Sequence, residues 1–206
     1  MAPRLAVSAC LALFLTVACG AAVGHAAPPQ PLTGNPADRL ADRPIDDYRY
    51  DHATRCRRGP APGALTLQSW LALHVRGASW GIMRCERLSR RDHSLHAEGR
   101  ALDWHLDASD PVDRRAARRL IELLLATDSA GNPHALARRM GIQEIIWNCR
   151  SWWSGSERMG DYSVCSTSTG KRREGVSPTL AHRDHIHLGL SRAGAAKRTS
   201  FWRSER

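Results

Sequence analysis

Residues 94–103 read SLHAEGRALD, and residues 182–187 read HRDHIH. Zinc binds imidazole nitrogen and carboxylate oxygen, and a catalytic zinc site uses three protein ligands and leaves a fourth position open. His96, Asp103 and one histidine of the second segment meet that requirement. Asp103 lies within the apolar run 101–104, where burying a carboxylate without a partner would be costly. The pattern therefore predicts that the two segments meet around one zinc ion.

The second segment is typical of a strand that carries two histidines on one face. Residues two apart share a face of a strand, so we expect His185 and His187 to point toward one site. One of them can bind the metal while the other holds substrate or accepts a proton. By the same argument His105 shares the face of Asp103, either behind the ligands or at the rim of the site. The alternative is a polar strand edge with incidental histidines.

The spacing of apolar residues predicts three helices and four strands. The first helix begins at its cap Thr66 and stops at Gly77. The second is capped by Asp110, and a short third helix follows Pro133 and ends at Gly141. The predicted strands are Ala78 to Cys85, Ala101 to Leu106, Gln143 to Trp147 and His185 to Leu190. Because strands and helices do not alternate as βαβ units, the order predicts an α+β fold with a small, mostly antiparallel sheet and flanking helices.

The amino terminus has the features of an export signal. Residues 1–26 combine a basic start, an apolar run and small residues suited to cleavage after Ala26. The sequence before Cys19 loosely resembles a bacterial lipobox, so a lipoprotein anchored through Cys19 is the alternative to a secreted protein. Residues 27–58 are rich in proline and predict a linker, and residues 59–206 predict one zinc-binding domain.

Export would place the remaining cysteines in an oxidising compartment. Cleavage after Ala26 leaves four of them, Cys56, Cys85, Cys149 and Cys165, and an even number there predicts two disulfides. Three connectivities are open, and we favour the sequence-local pairing, Cys56 with Cys85 and Cys149 with Cys165. A tetrahedral zinc site would also use four cysteines, but the chain has no Cys-x-x-Cys pair to support it.

The chain is strongly basic. Its 206 residues contain 30 Lys and Arg against 20 Asp and Glu, a net charge of +10. Such a charge favours association with polyanions, and an anionic cell envelope suits an exported protein better than nucleic acid, for which no basic motif is present. Beyond the leader, no apolar run approaches the roughly 20 residues of a membrane-spanning helix. We expect a monomer.

The first segment resembles a known signature at every specified position. Ser94-x-His96-x-x-Gly99-x-Ala101-x-Asp103 is similar to that of zinc D-alanyl-D-alanine carboxypeptidases and the related vancomycin-resistance dipeptidases. The segment 182–187 resembles the His-x-x-His-x-His ending of penicillin-insensitive murein endopeptidases. The resemblance implies the hedgehog/DD-peptidase fold, zinc held by His96 and Asp103, and a later histidine, His187, as the third ligand.

The resemblance also implies a reaction, the hydrolysis of an amide in a peptidoglycan stem peptide by metal-activated water. The family's acidic base lies three residues before its third ligand, which is Asp184 here, with Asp where many members carry Glu. His185 competes for that role, and Asp184 is slightly favoured. At a position where relatives often carry an arginine, Arg84 is a candidate for stabilising developing negative charge. Which bond is cut is left open.

Two further residues are candidates for substrate binding. Ser94 has no paired base that would make it a nucleophile, so we expect it to hydrogen-bond substrate or a ligand side chain. Trp152, with its neighbour Trp153, is a candidate for lining a groove that binds glycan or stem peptide, the alternative being a place in the core. A non-catalytic zinc-containing module that binds the cell wall is the alternative function, because this fold can retain zinc without peptidase activity.

Overall fold

The computed structural model describes residues 29–30, 32–47, 49–86 and 93–204. The predicted signal peptide, residues 1–26, and the alternative lipidation site at Cys19 lie outside the described residues. Across the described ranges, no helix is both long enough and apolar enough to cross a lipid bilayer.

A single antiparallel sheet organises the described chain. It has six strands in the order β1-β2-β6-β3-β4-β5, and every neighbouring pair is antiparallel. The strands are β1 (Ala78–Gly81), β2 (Ala101–His105), β3 (Ile142–Trp147), β4 (Arg150–Trp153), β5 (Gly160–Asp161) and β6 (His185–Leu190). The predicted α+β class and mostly antiparallel sheet are confirmed, while the hedgehog/DD-peptidase topology stays a prediction.

The helices are α1 (Pro62–His74), α2 (Pro111–Leu125), α3 (Ala135–Met140), α4 (Arg192–Ala195) and α5 (Ser200–Ser204). As predicted, Asp110 caps α2 by accepting hydrogen bonds from the backbone of Val112 and Asp113. Thr66 is not the cap of α1, because that helix begins four residues earlier at a proline and the Thr66 hydroxyl donates to the Pro62 carbonyl inside it.

The sheet separates the hydrophobic core from the polar candidate site. On one face, Leu102, Trp104, Ile145, Ile186 and Leu188 are buried in the main apolar cluster, and helices α1 and α3 contact strands β2 and β3. Strand alternation therefore sends the residues between them to the opposite face. That face carries the histidines and carboxylates that the sequence singled out.

Part of the predicted linker packs against the domain. Pro36–Leu40 forms a 3-10 helix whose Ala37 and Leu40 are buried, and Ala53 is buried as well. The carboxylate of Asp46 accepts hydrogen bonds from Ser200. Proline content explains why no long helix or ladder forms here, but it says nothing about burial, which the apolar and acidic side chains between the prolines decide.

Both predicted disulfides are present. Cys56 pairs with Cys85 and Cys149 pairs with Cys165, with Cα atoms 5.4 Å and 5.5 Å apart. These are the sequence-local pairs, closing separations of 29 and 16 residues. Two disulfides are compatible with a protein that is secreted into an oxidising compartment.

Candidate metal centre

Pairing of the two central strands brings together residues that are far apart in the chain. In the register of β2 against β6, Asp103 lies opposite His187 and His105 lies opposite His185. Residues that face each other across an antiparallel pair point to the same side of the sheet, so all four side chains share the polar face. The strand register therefore places Asp103, His105, His185 and His187 together on one face.

A short 3-10 turn, Leu95–Glu98, carries the remaining histidine over this face. Ser94 caps the turn by accepting a hydrogen bond from the His96 backbone N–H, so its hydroxyl helps to fix the backbone that carries His96. Gly99 ends the turn with a φ of 66°, and a Cβ there would lie 2.5 Å from the Gly59 carbonyl oxygen. Only glycine meets both conditions without strain.

Three donor atoms converge at the centre of the site. His96 Nε2 lies 3.1 Å from Asp103 Oδ1 and 3.1 Å from His187 Nδ1, and the latter two atoms are 3.0 Å apart. A tetrahedral zinc ion with bonds of about 2.0 Å separates its ligand atoms by about 3.3 Å. The three residues are buried, and they could hold one metal ion.

The hydrogen bonds of His96 show why a cation fits. Its Nδ1 lies 2.8 Å from the carbonyl oxygen of Ile82, so Nδ1 carries the proton and donates it. Burial lowers the pKa of His96, which keeps the ring neutral and leaves a lone pair on Nε2. That lone pair faces the carboxylate of Asp103, and two acceptors facing each other are stable only with a cation between them.

A carboxylate lies behind the second of the converging imidazoles, that of His187. His187 Nε2 is 3.7 Å from Glu144 Oε1, and the Tyr50 hydroxyl donates to the other carboxylate oxygen of Glu144 over 2.6 Å. Burial alone would lower the pKa of His187, but Asp103 and Glu144 outweigh it and raise that pKa. Carboxylates placed behind a ligating histidine fix its tautomer and increase its basicity. Neither Glu144 nor Tyr50 was a candidate site residue from the sequence.

The Asp103 carboxylate is ionised and held by an arginine. Burial alone would raise the pKa of Asp103, yet its neighbours, above all His187, lower it well below its usual range. Arg84 Nη1 donates to the second carboxylate oxygen over 2.6 Å, and about half of the Arg84 side chain is exposed. The arginine therefore touches the site, as the sequence predicted, and keeps other N–H groups at its surface.

A third imidazole, that of His185, lies beside the three donor atoms. His185 Nδ1 lies 2.7 Å from Asp184 Oδ1, and His185 Nε2 lies 3.6 Å from Asp103 Oδ1. This Nε2 atom is buried and has no hydrogen-bond partner among the described residues. Asp184 also accepts from the Thr179 hydroxyl, so both of its oxygens are engaged. Asp184 therefore orients His185, and His185 presents its other nitrogen to the site.

Aromatic rings continue along the rim of the site. The ring centroids of Trp80, His185, His182 and Tyr162 follow one another at 5.5, 4.6 and 5.2 Å. Burial, together with the nearby His187 and His185, lowers the pKa of His182 to about 3. His182 is thus neutral at physiological pH. His105 stacks on Trp80 at the rim.

One predicted substrate residue lies elsewhere. Trp152 is 1% exposed in the hydrophobic core, where its indole nitrogen donates to the Ser156 carbonyl, so it does not line a groove. The reason is strand register, because Trp152 pairs with the core residue Ile145 whereas Trp153 pairs with Glu144. Trp153 therefore shares the polar face, where its ring lies 5.4 Å from that of Tyr50.

Comparison with known proteins identifies one family. Residues 59–171, more than half of the chain, match the family model described as VldE, C-terminal domain. His96 and Asp103 fall inside the matched range, while Asp184, His185 and His187 lie beyond it. No curated protein and no solved structure matches the chain.

Proposed function

This chain belongs to the family of the VldE C-terminal domain, and we propose that it is a secreted zinc-dependent peptidase that hydrolyses an amide bond in peptidoglycan stem peptides. The reaction would be of the D,D-carboxypeptidase or endopeptidase type. The hydrolytic part of the proposal rests on one observation. The buried Nε2 atom of His185, which has no hydrogen-bond partner among the described residues, lies beside three converging atoms that could bind a metal. The substrate class rests on the resemblance of the two motifs to murein peptidases.

The ligand set suits zinc. His96 and His187 offer imidazole nitrogens and Asp103 offers a carboxylate oxygen, which is a usual set of three protein ligands for a catalytic zinc ion. When bound, zinc lowers the pKa of water to near 7 and polarises a carbonyl group. The Ile82 carbonyl accepts from the outer nitrogen of His96, which favours the tautomer that ligation requires. Glu144 lies 3.7 Å from the outer nitrogen of His187.

His185 is the proposed general base. Its Nε2 atom would take the proton of the attacking water and return it to the leaving amine. Asp184 lies 2.7 Å from Nδ1 of the same ring and stabilises the imidazolium that forms. The sequence favoured Asp184 as the direct base; we propose a positioning role for it instead, because each of its two oxygens already has a hydrogen-bond partner. The arrangement of an acid behind an imidazole is a recurrent solution for holding a catalytic histidine.

Arg84 is the proposed group for stabilising negative charge. Its Nη1 donates a hydrogen bond to Asp103, but its half-exposed guanidinium has further N–H groups. These would donate to the oxygen of the scissile carbonyl as charge develops on it, a form of stabilisation that acts mainly in the transition state. Trp80, 51% exposed at the rim, offers an apolar surface for the substrate next to His185.

Mass spectrometry of muropeptides tests the proposal. Residues 27–206, purified with both disulfides and loaded with zinc, should convert defined muropeptides into fragments in which one amide has gained the elements of water. The metal-free protein should leave the same muropeptides intact. Zinc-loaded protein that yields no cleaved product from any of them would overturn the peptidase assignment and favour the non-catalytic wall-binding module.

A further inference from the structure

A separate basic cavity lies outside the metal centre. Its volume is about 400 Å³, and its lining includes the side chains of Arg55, Arg57, Arg100, Arg192 and Arg198. Glu98 is the one acidic residue in the lining, and none of the three metal-ligand residues takes part. The cavity therefore gathers five cations around one carboxylate.

The single carboxylate is already neutralised. Arg100 Nε donates to Glu98 over 2.8 Å, Arg192 Nη2 lies 3.3 Å from it, and the Thr54 backbone N–H donates to it over 2.9 Å. Arg192 also forms an ion pair with Asp51. Two of the five arginines thus have acidic partners.

The other three arginines have no such partner. In the described part of the chain, no side chain or carbonyl accepts a hydrogen bond from the guanidinium groups of Arg55, Arg57 and Arg198, and all three residues are exposed. Their backbone is nevertheless fixed. The N–H groups of Arg57 and Arg198 donate to Ala97 and Ala193, and the disulfide at Cys56 anchors the segment between the first two arginines. The fold holds like charges together at this cavity.

We propose that this cavity binds a phosphate group. Each guanidinium offers five N–H donors in a planar fork, so three of them need a ligand with several acceptor oxygens. One fork already satisfies the two oxygens of a carboxylate, whereas a phosphate presents oxygens in several directions and carries more charge. The arginines supply most of the positive potential. The amino terminus of α1, where Ala61 provides no capping side chain, lines the same cavity and adds to that potential.

The phosphate could be free or part of a phosphodiester polymer, and two probes separate these sources. In calorimetric titrations at fixed ionic strength, inorganic phosphate and a soluble poly(glycerol phosphate) should bind, and acetate should bind at least tenfold more weakly. Binding of both phosphate probes identifies a site for the free ion, and binding of the polymer alone identifies a polymer site. Equal binding of acetate would overturn the assignment to phosphate.

Matched variants test the location. The triple variant Arg55→Gln, Arg57→Gln, Arg198→Gln should bind the better phosphate probe at least tenfold more weakly. The control, Arg115→Gln, Arg118→Gln, Arg119→Gln, removes the same charge from exposed positions on α2 and should stay within twofold of wild type. If both triples weaken binding equally, the effect is general charge and the proposal fails.

A stability measurement covers the case in which the triple variant folds poorly. Ligand binding to the folded state raises the unfolding temperature, so phosphate should raise it in the wild type more than chloride does at equal ionic strength. The single variant Arg198→Gln, a substitution at an exposed position, should reduce that shift. An unchanged shift in Arg198→Gln, together with an unchanged affinity, would overturn the location.

Discussion

The Nε2 atom of His96 lies 3.1 Å from the Nδ1 atom of His187, although 91 residues separate the two along the chain. The proton of His96 is on its other nitrogen, where it is donated to Ile82, so the contact is not a hydrogen bond donated by His96. With Asp103 Oδ1 at similar distances from both nitrogens, the three atoms could hold one metal ion. This contact links the turn at 95–98 to strand β6 and makes metal content the most direct readout of the site.

Removal of either imidazole should abolish metal binding. Wild-type protein with both disulfides should contain about one equivalent of zinc. His96→Ala and His187→Ala should each lose most of it, because two remaining ligands hold zinc far more weakly than three. His105→Ala is the matched control, since His105 lies on the same face of the sheet but outside the three-residue centre. Metal analysis that finds full zinc occupancy in both ligand variants would contradict the assignment.

The carboxylate behind His187 should tune the affinity for zinc. Glu144→Gln removes the charge that faces His187 Nε2 and keeps the shape of the side chain, so zinc affinity should fall by about 10- to 100-fold, the usual effect of losing such a partner. Tyr50→Phe removes the hydroxyl that holds Glu144 and should have a smaller effect in the same direction. Competition with a chromogenic chelator measures both affinities. Unchanged affinity in Glu144→Gln would show that this carboxylate does not act on the metal centre.

The sequence predicted which residues converge in the candidate site because their signals are local. Strand alternation placed His185 and His187 on one face, and the motif that contains His96 and Asp103 specified both residues. Asp110 as the α2 cap was predictable for the same reason, since a cap depends on the next three residues. Each of these predictions uses information that lies within a short segment.

Residues whose role depends on strand pairing were not predictable. Glu144 acts on His187 only because β3 lies beside β6, with Glu144 opposite Gly189, and no local pattern reveals that neighbour. Trp152 and Trp153 are adjacent, so the register of β4 alone decides which ring enters the core. Tyr50 reaches the site from a segment whose proline content predicted a linker. All of these contacts depend on which segments of the chain lie next to each other in the folded protein.

A buried ion pair away from the metal centre should carry much of the local stability. Arg139 Nη2 lies 3.2 Å from Asp128 Oδ2, and both side chains are fully buried. Asp128→Ala leaves the guanidinium without its charge partner and should lower the free energy of unfolding by about 3–5 kcal/mol. The control Asp161→Ala breaks the exposed pair with Arg150 and should cost no more than about 1 kcal/mol. Urea unfolding of the two variants that gives equal losses would refute this ranking.

The same carboxylate should make stability depend on acid pH. Burial alone would raise the pKa of Asp128, but hydrogen bonds from Asn132, Arg139 and Ala130 lower it overall. The folded state then keeps Asp128 ionised where the unfolded chain, with a pKa of about 3.9, takes up a proton. The contribution of the Asp128 carboxylate to the free energy of unfolding is therefore fully present above the unfolded-state pKa, and it is lost as the pH falls through the lower pKa of the folded state. The difference in free energy of unfolding between wild type and Asp128→Asn should therefore shrink below about pH 4. A difference that stays constant with pH would contradict this prediction.

Substitution of the imidazole base should separate catalysis from metal binding. His185→Ala removes the free Nε2 atom but no metal ligand, so zinc content should stay near that of wild type while turnover of a muropeptide falls by about 10²- to 10⁴-fold. Asp184→Asn keeps the imidazole and loses only the charge that orients it and stabilises its protonated form, so its loss of turnover should be smaller. His182→Ala, at a ring that is neutral because its pKa is about 3, should retain most activity and serves as the matched control. Zinc occupancy and hydrolysis must be measured on the same preparations, because loss of metal would mimic a catalytic defect. A larger loss in Asp184→Asn than in His185→Ala, at equal zinc content, would instead make the Asp184 carboxylate the proton acceptor and His185 its support.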